Sequence, residues 1–459
     1  MEKAAWVTDE NVALFTDLYE LTMLQAYFKE GMTAPAVFDL FVRKLPDERN
    51  FLIACGLESV LHYLEHLRFS DRAIDYLASL GKFSPDFLEY LRTFRFTGNV
   101  YAVPEGTVVF QNEPILEIEA PIGEAQLIET FLLNQITHQT LMASKAIRVV
   151  EAARGRATVD FGVRRMHGTD AGMKAARAFY IAGMQATSNV LAGEVYGIPV
   201  TGTMAHSYIE AHLDEYEAFK AFASLYPDTI LLVDTYDSIQ GVKNVIRLAK
   251  EWGDRFKVQG IRLDSGDLVS LSKKARQLLD EAGLTSVRIF VSGGLDEYEI
   301  DALLRASAPI DGFGVGTRLG VSADVPYLDS AYKLVAYAGE GRMKLSAKKA
   351  TLPGKKQVFR QMDEQGKMVK DIIALAGESL EGEPLLRPVM QGGKRLPESN
   401  QALETIRAYT RDQVTRLPEH LRTLTPAEPR YPVEVSARLQ QEAQRLRQQL
   451  LARYRESKS

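Results

Sequence analysis

The stretch "TILLVDTYDSIQGVKNVIRLAKEW", residues 229–252, decides the fold. Its apolar start is continuous rather than alternating, as expected of a parallel strand covered on both faces. The strand ends in the acidic turn "DTYD" and runs into an amphipathic helix. The unit recurs. "VQGIRLDSGDLVSLSKKARQLLDEAG" (258–283) and "SVRIFVSGGLDEYEIDALLRASA" (286–308) follow it, and "IDGFGVGTRLG" (310–320) closes the series. Asp234 lies 30 residues before Asp264, and Asp264 lies 28 before Ser292, each about one strand–helix unit. "RATVDFGVRR" (156–165) and "YGIPVTGTMAH" (196–206) read as earlier members. The pattern is that of a barrel or a doubly wound sheet, and both bind ligands at the carboxyl ends of the strands.

The flanks differ. Helical patterns run through "DLYELTMLQAYFKEG" (17–31) and "GLESVLHYLEHLRF" (56–69), followed by short strands in "GNVYAVPEGTVVFQNEPILEIEAP" (98–121). Near the other end, "KQVFRQMDEQGKMVKDIIAL" (356–375) reads as a hairpin around Glu364-Gln365-Gly366. The expected organisation is an α/β barrel over 136–345, with a second, discontinuous α/β domain of 1–135 completed by 346–459. The chain ends in an amphipathic helix with Val435, Leu439, Ala443, Leu446 and Leu450 on one face.

Composition sets bounds. The chain has 459 residues, a net charge of -5 and one cysteine, Cys55. The charge favours neither nucleic acid nor an anionic membrane, so any phosphate site has to be local. One cysteine allows no intrachain disulfide and no cysteine zinc cluster. With no signal-peptide pattern and no apolar run of membrane-spanning length, the expected compartment is the cytoplasm.

The strand ends carry the candidate chemistry. Arg164 and Arg165 in "DFGVRRMHGTDAG" (160–172) suit a carboxylate or phosphate, or else form surface ion pairs. Arg262 and Asp264 share one face of their strand, so the arginine either meets an anionic ligand or pairs with that aspartate. Asp234, Asp237, Asp264 and Asp267 form two D-x-x-D pairs, able to face Mg²⁺ on a phosphate ligand or ribose hydroxyls, or to cap helices. Gly293 and Gly294 in "VSGGLDE" and Gly316 in "GFGVGTRLG" are glycine-rich strand ends of the kind that grip phosphate with backbone N–H groups. Phe179 and Tyr180 follow the arginine pair. His206 stands past a strand end and ahead of a helix, where a histidine can serve as acid, base or phosphate acceptor.

Seven stretches then fall in order. They are "TDLYELTMLQAYF", "DFGVRRMHGTDAGMKAARAFYIAG", "TSNVLAGEVYGIPVTGTMAHSYI", "VDTYDS", "GIRLDSGDLVSLS", "GVGTRLGVSADVPYLDSAYKLVAY" and "PGKKQVFR". Together, from about residue 7 to about residue 395, the chain resembles the nicotinate phosphoribosyltransferase family. The resemblance implies an irregular, TIM-like α/β barrel with a smaller α/β domain built from both chain ends, assembled as a homodimer with shared active sites. It implies transfer of phosphoribosyl from 5-phosphoribosyl 1-pyrophosphate to nicotinate, with ATP as co-substrate and Mg²⁺ as cofactor, in NAD salvage. It implies that His206 is the histidine phosphorylated by ATP. By the same resemblance Tyr19, Thr203 and Arg262 contact nicotinate, Tyr19 reaching the site of the neighbouring subunit, and Thr317 contacts phosphoribosyl pyrophosphate. The metal ligands stay open. The sequence departs from the family's usual acidic residue or asparagine at Gly294. Two other readings remain: a nicotinamide or quinolinate phosphoribosyltransferase, and a non-catalytic nucleotide sensor on the same barrel.

Overall fold

The computed structural model describes residues 6–345 and 351–456. The expected start of the C-terminal segment at 346 lies outside the described residues. The chain divides into two compact units, with the boundaries at Leu141/Met142 and Pro326/Tyr327.

The unit made from both chain ends holds a seven-stranded antiparallel sheet. Its spatial order is Glu340–Gly341, Ser330–Tyr337, Pro35–Val42, Pro114–Pro121, Asn99–Ala102, Arg387–Gln391 and Lys394–Arg395. The Ser330–Tyr337 strand sits here because it pairs along the length of Pro35–Val42. Residues 327–345, expected with the barrel, therefore belong to this unit. The hairpin read around Gly366 forms from Lys356–Met362 and Met368–Leu375, and Gly366 takes the positive φ of 75° that its turn requires. Arg360 and Asp371 are cross-strand neighbours in this hairpin, both fully buried. The guanidinium donates to both carboxylate oxygens, at 3.0 and 2.6 Å. Val435 ends the short strand Val433–Val435, so the last helix starts only at Ala437 and its apolar stripe begins with the buried Leu439.

The second unit holds six parallel strands in the order Ala186–Thr187, Ala157–Asp160, Gly312–Val315, Arg288–Val291, Gly260–Leu263, Ile230–Leu232. The apolar runs read from sequence are its core. Leu231, Leu232, Ile261, Leu263, Ile289, Val291, Phe313 and Val315 are fully buried. Followed around the sheet from Ile230–Leu232, neighbours come in chain order, and the last strand returns to Ala157–Asp160. That is the order of a strand ring cut open, not of a doubly wound sheet, whose order reverses at a switch point. The expected irregular barrel is thus present as a parallel half-barrel sheet, and among the described residues no strand pairing joins Ile230–Leu232 to Ala186–Thr187. A single parallel bridge, Thr187 to Val200, extends it toward the gap.

The connecting helices are fixed by their first residues. Asp237, Asp267 and Asp296 cap Ser238–Trp252, Leu268–Glu281 and Glu297–Arg305 with their side-chain oxygens. Half of the D-x-x-D carboxylates are thus caps. Gly241 lets the first of these helices lie against its strand, since a Cβ there would meet the Val233 carbonyl oxygen at 2.1 Å.

A buried charge cluster braces this unit. Glu297, with no exposed side-chain surface, accepts from Lys145 at 2.5 Å and from Arg148 at 2.9 Å, and Lys145 also reaches Asp324 at 2.7 Å. Removing one partner of a buried pair strands the other charge and costs about 3–5 kcal/mol. Lys145→Met is therefore expected to destabilise the protein by that amount, read as a lower denaturant midpoint. An unchanged midpoint would show that the cluster carries no net stability.

Candidate active site

The carboxyl ends of the parallel strands are tied together by a connected set of contacts. At the end of Gly260–Leu263, the Asp264 backbone N–H donates to Asp234 Oδ2 at 2.8 Å, which also accepts from Ser265 Oγ at 2.8 Å. The Asp264 side chain accepts from Ser292 Oγ, at the end of the next strand. Its other oxygen, Oδ2, lies 3.8 Å from His206 Nε2. His206 Nδ1 lies 3.1 Å from Thr235 Oγ1, at the end of Ile230–Leu232. His206 opens the short helix His206–Glu210, in the segment that follows the bridge at the ring's gap.

Arg262 is the half-buried cation of this end. Its Nη2 donates to the Met204 carbonyl at 2.8 Å, and its guanidinium lies 5.8 Å from the centre of the Phe161 ring. Its Nε is buried and has no hydrogen-bond partner. The pairing with Asp264 considered from sequence does not form. Among the described residues Arg262 has no carboxylate within ion-pair distance. Burial lowers its pKa, Asp264 and Asp234 oppose that shift, and the nearby Arg164 adds to it. Arg164 and Arg165 lie on the exposed 3-10 turn Val163–Arg165, and neither makes an ion pair among the described residues. Two of the three cations at this end therefore stand open to solvent and the third is half-buried.

The glycines are placed by close backbone approach. Gly293, at φ 84°, faces the Asp264 carbonyl oxygen, which a Cβ would meet at 1.9 Å. Gly294, at φ 65°, faces open space. Gly316 precedes the short helix Thr317–Gly320, and its carbonyl lies 3.0 Å from where a Cβ on Gly162 would stand. Thr317, first in that helix, is exposed. Thr203 is half-buried, next to the Met204 that Arg262 holds.

Two further site residues expected from sequence are Phe179 and Tyr19. Phe179 is 1% exposed, on the core face of Thr169–Ile181. A ring sealed there packs the unit and offers no surface to a solute, so it is a core residue in this structure. Tyr19 lies in the other unit, on the helix Leu18–Glu30, 47% exposed. Beside it Glu20 is fully buried, and burial pushes its carboxyl up to about 7, opposed in part by hydrogen bonding to Tyr19 and Gln126.

Four contributors were not singled out from sequence. Thr235 and Ser292 touch His206 and Asp264 respectively; Thr235 directly follows Asp234, and Ser292 directly precedes Gly293. Phe161 flanks Arg262. Asp160, 1% exposed, accepts from the Gly162 N–H and from Thr187 Oγ1, both at 2.7 Å, and so shapes the turn leading to Arg164. Burial raises its pKa. Among the described residues no group of three or more His, Cys, Asp or Glu side chains is arranged to hold a metal ion by itself. The orphan acceptor here is Asp234 Oδ1, which is buried and unpartnered.

Three family models cover most of the chain. The nicotinate phosphoribosyltransferase N-terminal domain matches residues 14–137, the family's core matches 157–370, and its C-terminal domain matches 378–443. A Mycobacterium tuberculosis protein named as a nicotinate phosphoribosyltransferase is 55% identical over 435 residues, covering 95% of this chain and 94% of that one. A Bacillus subtilis protein of the same name is 44% identical over 388 residues, 83% of this chain and 79% of that one. The crystal structure of human nicotinic acid phosphoribosyltransferase superposes with a TM-score of 0.84 at 30% identity, covering 94% of this chain and 99% of that one. A Pyrococcus furiosus structure titled nicotinate-nucleotide pyrophosphorylase gives 0.75 at 26% identity, covering 91% and 99%.

The two adjacent glycines allow an internal control. Gly294→Ala has room and meets only the left-handed backbone cost, about 1–2 kcal/mol. Gly293→Ala meets that cost and also drives a methyl group into the Asp264 carbonyl. Denaturation of both variants is expected to show a clearly larger loss for Gly293→Ala. Equal losses would mean that this strand end yields freely.

Proposed function

The chain belongs to the nicotinate phosphoribosyltransferase family, and on that premise we propose that it makes nicotinate mononucleotide and pyrophosphate from nicotinate and 5-phosphoribosyl 1-pyrophosphate. In this reading ATP hydrolysis is coupled through phosphorylation of His206, and the reaction is an entry to NAD by salvage. The observation that carries the reading is Arg262, a half-buried guanidinium at a strand end with an orphan Nε and no carboxylate of its own. A substrate carboxylate supplies the missing acceptor, as a planar guanidinium favours. Thr203 stands next to that contact.

The pyridine nitrogen is itself the nucleophile, so no serine or cysteine is needed. The N–C1 bond forms as the C1–O bond to pyrophosphate breaks, and the electron pair leaves with pyrophosphate. Positive charge builds on the ribose and negative charge on the leaving group. Arg164, Arg165, the first N–H groups of Thr317–Gly320 and the backbone N–H groups at Gly293, Gly294 and Gly316 are the donors for those phosphates. Asp234 and Asp264 are the carboxylates that would face Mg²⁺ there. Bound with phosphoribosyl pyrophosphate, Mg²⁺ would neutralise the leaving group, and a cation that takes most ligands from substrate phosphates needs no all-protein cage. His206, half-exposed beside this anion site, gives ATP a route to alter substrate affinity and the reaction equilibrium. The homodimer is part of the proposal, with Tyr19 stacking on the pyridine ring of the partner's site.

The direct test is purified protein given nicotinate, nicotinamide or quinolinate with phosphoribosyl pyrophosphate, with and without ATP. Mononucleotide from nicotinate, raised by ATP, is the expected result. Preference for either other base moves the chain to that chemistry, and no transfer at all fits the sensor. Arg262→Ala removes a charge-assisted bond worth roughly 1.5–3 kcal/mol, so the nicotinate KM should rise on the order of 10- to 100-fold. A normal KM with a lowered melting temperature would make Arg262 structural.

The shared site is tested by mixing. Tyr19→Ala and His206→Ala proteins, each near-inactive in ATP-coupled transfer, should regain part of that activity after verified subunit exchange. No recovery would place Tyr19 outside the partner's site.

A further inference from the structure

The Lys356–Met362 strand of the C-terminal hairpin carries two cations into the interior of the unit made from both chain ends, and each meets a pair of carboxyl groups. Lys356 Nζ lies 2.7 Å from Asp39 Oδ2, and the Lys356 backbone N–H donates to Glu117 Oε2 at 2.8 Å. Asp39 and Glu117 are cross-strand neighbours on Pro35–Val42 and Pro114–Pro121, and both are buried. Further along the same strand, Arg360 binds both oxygens of Asp371, and Tyr431 Oη donates to Asp371 Oδ1 at 3.0 Å. Beside Asp371 stands the buried Glu113, whose Oε2 accepts from the Phe110 N–H at 2.8 Å.

Three oxygens of these clusters are left over. Asp39 Oδ1, Glu117 Oε1 and Glu113 Oε1 are buried and have no donor among the described residues. Glu117 stands within hydrogen-bonding reach of Asp39, and Glu113 within reach of Asp371. Two ionised carboxylates cannot bond one another, because each only accepts. A carboxyl group that keeps its proton donates to its neighbour, which supplies the missing donor and leaves each cluster with one anion for its one cation. Burial, and after it the charge of the adjacent carboxylate, hold the Glu117 and Glu113 carboxyl groups well above the usual carboxylate range, against the opposing pull of Lys356 and Arg360.

We propose that each carboxyl pair holds one shared proton, Glu117 donating to Asp39 and Glu113 to Asp371, so that seating the hairpin in this unit is coupled to the retention of two protons. The other charges facing the first pair are engaged elsewhere. Lys355 lies 2.8 Å from Glu119, and Lys333, cross-strand from Asp39, lies 3.4 Å from Glu129. Its remaining titratable neighbours are the phenols of Tyr101, cross-strand from Glu117, and of the buried Tyr332. Around the second pair stand Tyr431, Tyr409 and Gln413, whose Oε1 accepts from Arg360 at 3.0 Å. Among the described residues none of these groups donates to the leftover oxygens.

The test is infrared spectroscopy of the full-length protein at neutral pH. A protonated carboxyl group absorbs at a C=O frequency clear of ionised carboxylates and of amides. Glu117→Gln keeps the shape, donates an amide N–H to Asp39 and has no proton to lose, and Glu113→Gln does the same toward Asp371. The spectrum of the unaltered protein minus that of each variant should show a protonated carboxyl band that shifts in D2O. Asp39→Asn should lose the Glu117 band as well, since Glu117 is then free to ionise against Lys356, so the first pair is read even where Glu117→Gln does not fold. In the unfolded chain these carboxyl groups ionise in the ordinary range, whereas each folded pair keeps its proton to higher pH. The folded state then binds the extra proton, and its stability falls as pH rises. Relative to either Gln variant, the unfolding constant of the unaltered protein should increase about tenfold per pH unit while the pair is still protonated. The melting temperature of each variant relative to the unaltered protein should accordingly climb with pH. Absence of the band for a pair, or a melting difference that does not move with pH, overturns the proposal for that pair.

Discussion

At the end of the Gly260–Leu263 strand the backbone of Asp264 is constrained from two sides. Its N–H is bound by Asp234 from the preceding strand end, and its carbonyl is pressed against Gly293 from the following one. A parallel strand that stops and turns into a helix leaves backbone groups needing partners at its carboxyl end. Here those partners come from neighbouring strand ends. Three consecutive units are thereby locked in register at the point where their side chains converge. The Asp264 carboxylate then has one geometry available, and that geometry takes in Ser292 and faces His206. The arrangement of the site follows from how the strands are terminated.

This explains which parts were legible in the sequence. Strand–helix units show themselves because burial on both faces demands continuous apolar runs, and helix starts show themselves because Asp237, Asp267 and Asp296 cap them. The Gly366 turn was legible for the same local reason. Partnering across long separations was not. Nothing local in "SAYKLVAY" says that Ser330–Tyr337 pairs with Pro35–Val42. Phe179 follows the arginine pair in sequence, yet the helical repeat turns its ring into the core. Val435 matches the apolar stripe of the last helix but is claimed by pairing with the Met368–Leu375 strand. Most of the site was legible because strand-end position is itself local. Thr235 and Ser292 escaped because a hydroxyl beside an acidic or glycine residue looks like ordinary turn chemistry until its partner is in view.

The charges follow the same division of labour. The chain carries a net charge of -5, and its buried arginine at Arg360 is fully paired, bidentate to Asp371. Arg262 is handled in the opposite way. It is half-buried on a strand, beside an aromatic ring, with one carbonyl and an orphan Nε. Desolvating a cation without a counter-charge costs stability. A fold that pairs Arg360 so completely and leaves Arg262 open gives up stability at the strand ends.

Arg164 sharpens that contrast. Its charge works against that of Arg262, and neither has a carboxylate partner among the described residues. Asp264 and Asp234 moderate the repulsion, but their oxygens are committed to Ser292, Ser265 and the Asp264 N–H, with Asp234 Oδ1 buried away from solvent. The carboxylates therefore hold the frame through one oxygen each, leaving Asp264 Oδ2 without a hydrogen bond near His206 among the described residues, while the arginines stay available. A site for an anionic ring and an anionic sugar phosphate needs that asymmetry. If Asp264 neutralised Arg262 directly, a substrate carboxylate would have to displace it, and the same movement would release His206 from its neighbour. Keeping the two apart leaves the Arg262 guanidinium open without disturbing the contacts around His206.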